Sequence, residues 1–182
     1  MKRTFFTEEQ KFTQWWLKAI FLFTLLSVFV PFAYGIYSQE VLGEPLGSDT
    51  PMTAGGLMVT GITSLFIVGL MVLFFVYAKL KTKITNEGLL VTFPPFINKW
   101  KKFTPKEIEK YEVRRYNAIR EYGGYGFKRR SRHGQSYTIS GKIGLQLYLK
   151  NGKKLLIGTQ RKQAIEYAMA KLMGEENSAK NG

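Results

Sequence analysis

AIFLFTLLSVFVPFAYGIY, from Ala19 to Tyr37, contains no charged residue in 19 positions. As a helix rising ~1.5 Å per residue it would be ~28 Å long, close to the ~30 Å hydrocarbon core of a bilayer. A second stretch, AGGLMVTGITSLFIVGLMVLFFVYA from Ala54 to Ala78, holds 25 uncharged residues and is long enough to cross with some tilt. Trp15 and Trp16 precede the first stretch, Tyr34 and Tyr37 lie near its end, and Tyr77 closes the second; such aromatics favour membrane interfaces. Two buried core helices of this length would need a large soluble protein to cover them. A cleaved leader also fits poorly, because the charged lead is long and Ala33-Tyr34-Gly35 is a weak cleavage site. The expectation is a transmembrane hairpin, 19–37 and 54–78, joined by an extracytoplasmic loop over 38–53. Thr7 and Gln10 have capping-box spacing, so the first helix is expected to begin within the N-terminal segment 1–18.

Charge sets the orientation. Lys2, Arg3, Lys11 and Lys18 precede the first span, whereas 38–53 contains no Lys or Arg and carries Glu40, Glu44 and Asp49. The net charge of the chain is +14, and from Lys79 onward 23 Lys/Arg face 8 Asp/Glu. Both termini are therefore expected on the cytosolic side of a cell membrane crossed twice. The core of each span lacks the ionisable residue that a proton relay or ion pathway needs. Two stripes of small residues, Ser27, Pro31 and Gly35 on the first span and Thr53, Gly56, Thr60 and Ser64 on the second, suit close helix packing. Homo-oligomerisation through these stripes stays open.

Beyond Lys79 the period changes to two. Lys81–Thr85 and Leu89–Phe93 read as strands joined at Asn86-Glu87-Gly88 and stopped by Pro94-Pro95. Thr104-Pro105-Lys106-Glu107 is a helix-start signal for a short helix, since Tyr111, Val113 and Arg115 soon alternate as in a strand. Another strand is expected over Ser136–Ile139. Between Ile143 and Gly158 the register decides the turn. A two-residue Asn151-Gly152 loop would oppose Leu149 to Lys154; a three-residue loop of Lys150, Asn151 and Gly152 pairs Leu147 with Leu155 and Leu145 with Ile157, leaving the leucines on one face. Gly152 then supplies the left-handed residue of a bulged turn. Ala164, Ile165, Ala168, Met169 and Leu172 share one helical face, Gly174 suits a helix stop, and 174–182 reads as a disordered polar tail.

The expected fold is thus a two-helix transmembrane hairpin followed by an α+β cytosolic domain over 79–173: an antiparallel bent sheet or partly open barrel capped by a C-terminal helix. With Gly124-Tyr125-Gly126-Phe127, Ser140-Gly141-Lys142-Ile143-Gly144-Leu145, Asn151-Gly152-Lys153-Lys154 and Gly158-Thr159 before the last helix, the segment resembles the bacterial pleckstrin-homology-like (PH-like) domains of small membrane proteins. The resemblance covers roughly residues 80 to 173 and implies the fold, with no ligand to carry over. Arg161-Lys162 stands where that pattern has an acidic-proline pair, and 128–135 is unusually basic.

Chemistry has few footholds. There is no cysteine and one histidine, His133, which excludes thiolate zinc sites, cysteine nucleophiles and a multi-histidine metal centre within one chain. No cofactor is expected, and Glu107, Glu109 and Glu112 beside Lys106 and Lys110 read as surface ion pairs. Tyr122-Gly123-Gly124-Tyr125-Gly126 lacks the Gly-Lys-Ser/Thr ending of a P-loop and reads as a turn. The densest charge run gives the candidate site: Lys128, Arg129, Arg130 and Arg132. It suits a solvated loop, anionic lipid head groups or an acidic membrane-protein partner. Without nearby stacked aromatics, nucleic acid is not favoured. Lys99, Lys101 and Lys102 beside Trp100 form a second basic cluster. The functional expectation is a membrane-anchored, non-enzymatic binding module integral to the bilayer; the alternative is an accessory subunit of a transporter or export complex.

Overall fold

The computed structural model describes residues 3–43 and 53–180. The chain divides into two compact units, one of residues 13–76 and one that joins the N-terminal residues up to Phe12 to everything from Tyr77 onward.

The first unit holds helices α1 (Trp15–Tyr37) and α2 (Ala54–Tyr77), with a π-helical turn over Ser38–Leu42 after α1. Both helices are long and apolar enough to cross a membrane, and only 6% of the most apolar window of each is buried. Helix–helix contacts include the Phe21 and Phe75 rings, 5.4 Å apart, and Gly61, where a Cβ would lie 3.1 Å from the Phe32 ring. Of the small residues expected to pack, Gly35 is buried while Ser27, Pro31 and Thr60 are exposed. The Thr60 hydroxyl bonds back to the Gly56 carbonyl of its own helix. Most of the expected loop 38–53 lies outside the described residues.

α1 does begin ahead of Ala19, at Trp15, but not at the Thr7/Gln10 signal: the second unit opens with a strand there. β1 (Thr4–Lys11) alternates Phe6, Glu8 and Gln10 inward with Thr7, Glu9 and Lys11 outward. The capping-box spacing of Thr7 and Gln10 goes unused because both polar inward residues find partners elsewhere in the fold, described below. β1 pairs antiparallel with β2 (Lys79–Thr85), Phe6 opposite Ile84 and Lys11 opposite Lys79. β2 turns through Asn86-Glu87 into β3 (Gly88–Phe93), and after the Pro94-Pro95 stop comes β4 (Ile97–Phe103). The first sheet runs β1-β2-β3-β4.

A 3₁₀ turn, Pro105–Glu107, begins at Thr104 as its sequence predicted; the Glu107 carboxylate accepts bonds from the Thr104 amide (2.8 Å) and hydroxyl (2.7 Å). Those bonds, the backbone one first, hold the Glu107 carboxyl below its ordinary value. β5 (Ile108–Arg115), the five-residue α3 (Ala118–Tyr122), β6 (Gly126–Lys128), β7 (Gln135–Thr138), β8 (Ile143–Leu149) and β9 (Lys154–Gly158) follow. They form the second sheet, ordered β5-β8-β9-β7-β6. Leu145 stands opposite Ile157 and Leu147 opposite Leu155, with Gly152 at φ +76°, the pairing of the three-residue loop. The expectation of a wholly antiparallel sheet fails at one place: β7 and β9 run parallel. The chain reverses direction after β7 and again after β8, and β9 then inserts beside β7, so the two share a direction.

The helix α4 (Lys162–Lys180) buries Ile165, Ala168, Met169 and Leu172 in a core shared with Phe6, Leu80, Leu89, Phe93, Leu147 and Ile157. It does not stop at Gly174. Glu175, Glu176, Ala179 and Lys180 are ordinary helix formers, and the helix continues through the segment expected to be disordered as far as the description reaches.

The ends of the folded unit are stitched together by buried polar groups. The Glu8 carboxylate accepts hydrogen bonds from the Thr159 hydroxyl (2.7 Å), the Gln160 amide (2.8 Å) and the Gln10 side chain (3.2 Å). Gln10 also donates to the Gly158 carbonyl (2.9 Å). Residues ahead of α1 thereby hold the junction between β9 and α4.

Candidate anion-binding surface

The basic run folds as a built loop between β6 and β7. Phe127 stacks on Tyr137 with ring centres 5.2 Å apart, and the Arg129 guanidinium lies 5.9 Å from the Phe127 ring centre. Ser131 and Gly134 exchange backbone hydrogen bonds (3.2 and 3.1 Å), and the Ser131 hydroxyl donates to the Gly134 carbonyl (2.9 Å). His133 bonds through Nδ1 to the Glu121 carbonyl on α3 (3.2 Å) and meets the Tyr122 ring edge to face. With its turn closed and its histidine docked, the loop directs Arg129, Arg130 and Arg132 outward; all three are exposed.

These arginines line an open concavity of ≈ 570 Å³ together with Gln135, Lys153 and Lys154. Lys128, the fourth residue of the predicted site, is half-buried within β6 opposite Ser136 and is not among the lining residues. A smaller concavity of ≈ 260 Å³ shares Gln135, Lys153 and Lys154 and adds Lys101, Lys102 and Asn151. The second basic cluster, on β4, is therefore continuous with the first. Lys101 donates to the Tyr137 hydroxyl (3.1 Å), and the Lys154 ammonium lies 5.6 Å from the Tyr148 ring centre.

No acidic side chain lines either concavity among the described residues. Lys102 is paired, with Glu87 at 3.0 Å. Among the described residues, Lys101, Arg129, Arg130, Arg132, Lys153 and Lys154 have no carboxylate within ion-pairing distance. The basin is a surplus of fixed positive charge, with three guanidinium groups able to bind carboxylate or phosphate oxygens bidentately.

Lys153 and Lys154 were visible in the sequence only as part of a turn. Their contribution follows from the hairpin register, which sets them at the tip facing the β6–β7 loop. Lys101 comes from a strand the sequence did not announce.

The acidic residues are engaged elsewhere. Glu112 accepts a bond from the Tyr148 hydroxyl (2.8 Å). Glu121 pairs with Arg114 at 2.7 Å; burial raises its carboxyl, but the Arg114 pair and the Asn117 amide outweigh this and leave it below the ordinary value. Gly123, at φ +71°, ends α3, so the glycine-rich stretch forms a cap and turn. Among the described residues no cluster of acidic and histidine side chains is arranged to hold a metal ion.

Compared with known proteins, the chain matches no family model, no curated protein and no solved structure.

Proposed function

We propose that this chain is a membrane-anchored, non-enzymatic binding module, multi-pass with both termini in the cytosol, whose basic PH-like domain holds an anionic group at the inner face of the cell membrane. The carrying observation is the basin: five cationic side chains from two hairpins around ≈ 570 Å³, with no carboxylate in its lining among the described residues. Two sheets with a helix closing the core support the PH-like reading. The pairing of Lys11 with Lys79 supports the topology, since the chain leaves the folded unit and returns to it at neighbouring positions. Any membrane crossed by α1 is then crossed back by α2.

Thiol labelling tests the topology directly, because the chain has no cysteine of its own. Single cysteines at residues 45 and 178 are expected to react from opposite sides of intact cells, and labelling of both from the same side would overturn the two-span reading.

The basin is tested by titrating the full chain, in a non-ionic detergent, with short-chain phosphatidylglycerol and phosphatidylcholine. The anionic lipid is expected to bind preferentially, and more weakly as salt shortens the Debye length from ~10 Å at 0.1 M to ~3 Å at 1 M. Arg129→Gln, Arg130→Gln and Arg132→Gln combined should weaken it on the order of 100-fold, at ~1 kcal/mol per basic residue. Unchanged affinity in the triple variant would remove the basin from the reading. No lipid preference in the unmodified chain, with binding of an acidic peptide that the triple variant loses, would point to a protein partner.

A further inference from the structure

We propose that the outer face of the β1–β4 sheet is a second contact surface, separate from the basin, and that its occupant is the anionic surface of the bilayer. The inference rests on the membrane reading above. Leu80, Ile84, Leu89, Val91 and Phe93 are fully buried, so the residues between them face the other way. Along β2 these are Lys79, Lys81 and Lys83. The register sets Lys11 opposite Lys79, Glu9 opposite Lys81, and Leu90 between Lys83 and Lys102. Trp100, two residues before Lys102 on β4, shares this face and is 47% exposed. Lys101 alternates to the opposite side and reaches Tyr137; Lys102 also borders the smaller concavity, but Lys79, Lys81, Lys83 and Trp100 line neither concavity, and over these four residues the face is separate from the basin.

The charge here is in excess of what the fold needs. Lys11 and Lys79 are directly opposed, an arrangement that destabilises a sheet, and lysines two apart on one strand lie ~7 Å from one another, within the ~8 Å Debye length at physiological salt. Glu9 is shared between Lys81 (3.3 Å) and Lys11 (3.4 Å), and Glu87 serves Lys102. Lys79 and Lys83 have no carboxylate within pairing distance among the described residues. A broad face of lysines with an exposed tryptophan suits an extended anionic surface better than a point ligand. Chain connectivity names that surface. Lys79 is the second residue beyond the end of α2 at Tyr77, ~7 Å of extended chain, and Lys11 is four residues ahead of the start of α1 at Trp15. A bilayer crossed by these helices presents its head groups within reach of both lysines. Tryptophan is an interfacial residue in such a setting.

The test uses the full chain in nanodiscs of phosphatidylcholine alone or mixed with phosphatidylglycerol, with lysine acetylation rates read by mass spectrometry. At low salt, Lys79, Lys81 and Lys83 are expected to react about fivefold more slowly in the anionic discs, with recovery at 1 M salt. In a Trp15→Phe, Trp16→Phe background, brominated lipids should quench Trp100. Arg129→Gln with Arg130→Gln and Arg132→Gln should leave the protection intact, whereas Lys79→Gln, Lys81→Gln and Lys83→Gln combined should abolish that of Lys11. Equal rates in both discs with Trp100 unquenched would overturn the inference while leaving the membrane reading standing. A chain that stays dispersed without detergent or discs would overturn both.

Discussion

A fragment of residues 79–182 is expected to be largely unfolded, whereas residues 1–12 joined to 77–182 by a short Gly/Ser linker should fold cooperatively. The reason lies in β1. Without it, Phe6 leaves the core, at ~2–3 kcal/mol for a buried aromatic side chain, and the edge of β2 loses a full set of ladder bonds. Removing Glu8 also strips Thr159 and Gln160 of their carboxylate partner at the entry to α4; hydrogen bonds to a charged group contribute ~1.5–3 kcal/mol each. Together these losses reach the ~5–15 kcal/mol that holds a typical domain folded. The linker is geometrically undemanding because Lys11 and Lys79 are already paired across adjacent strands, ~5 Å apart. Circular dichroism melts and amide dispersion in NMR spectra of the two fragments provide the measurement. A cooperative melt of 79–182 at the temperature of the joined fragment would show that β1 is dispensable.

The same strand shows where sequence reading stops. The two apolar helices were legible because an uncharged run of that length has few explanations. The β8–β9 hairpin was legible because only one register buries all its leucines, and the Thr104 cap and the α4 face follow from short-range patterns. β1 was not legible, since two of its three inward residues are Glu8 and Gln10, which no apolar alternation reveals; their partners at 158–160 lie about 150 positions away. β4, INKWKKF, is exposed at every position from Asn98 to Lys102, as befits a sheet edge, so it carries no inward–outward signal either. The small α3 rests on Asn117, whose side chain accepts from the Ile119 and Arg120 amides, a cap with too little helix behind it to show periodicity. The basin was half legible. Arg129, Arg130 and Arg132 stand in one run, but Lys101 and the Lys153-Lys154 pair reach it only through the tertiary fold, and Lys128, inside the run, faces elsewhere.

Gly134 is the residue at which fold and basin meet, and its replacement carries the second large expected effect. Its φ is +100°, and a Cβ there would overlap the carbonyl oxygen of Lys154 and approach the Lys154 Cβ to 2.8 Å. Gly134 thus lets the β6–β7 loop lie directly against the start of β9, the contact that brings the arginines beside Lys153 and Lys154. Gly152, at the tip of the neighbouring hairpin, has a similar φ of +76° but open space around its missing side chain. Gly152→Ala should therefore cost only the left-handed backbone term, ~1–2 kcal/mol. Gly134→Ala adds steric overlap against backbone to that strain and should cost about 2–4 kcal/mol. The two differ more sharply in binding. Because the overlap is relieved by moving the Ser131–Gly134 turn away from Lys154, Gly134→Ala should weaken anionic lipid binding even below its melting temperature, while Gly152→Ala should leave it near wild type. Denaturation of the joined 1–12/77–182 fragment gives the stabilities, and phosphatidylglycerol titration of the full-length variants gives the affinities. If Gly134→Ala is destabilised but binds like wild type, the packing of the loop on Lys154 serves the fold alone and the basin does not depend on it.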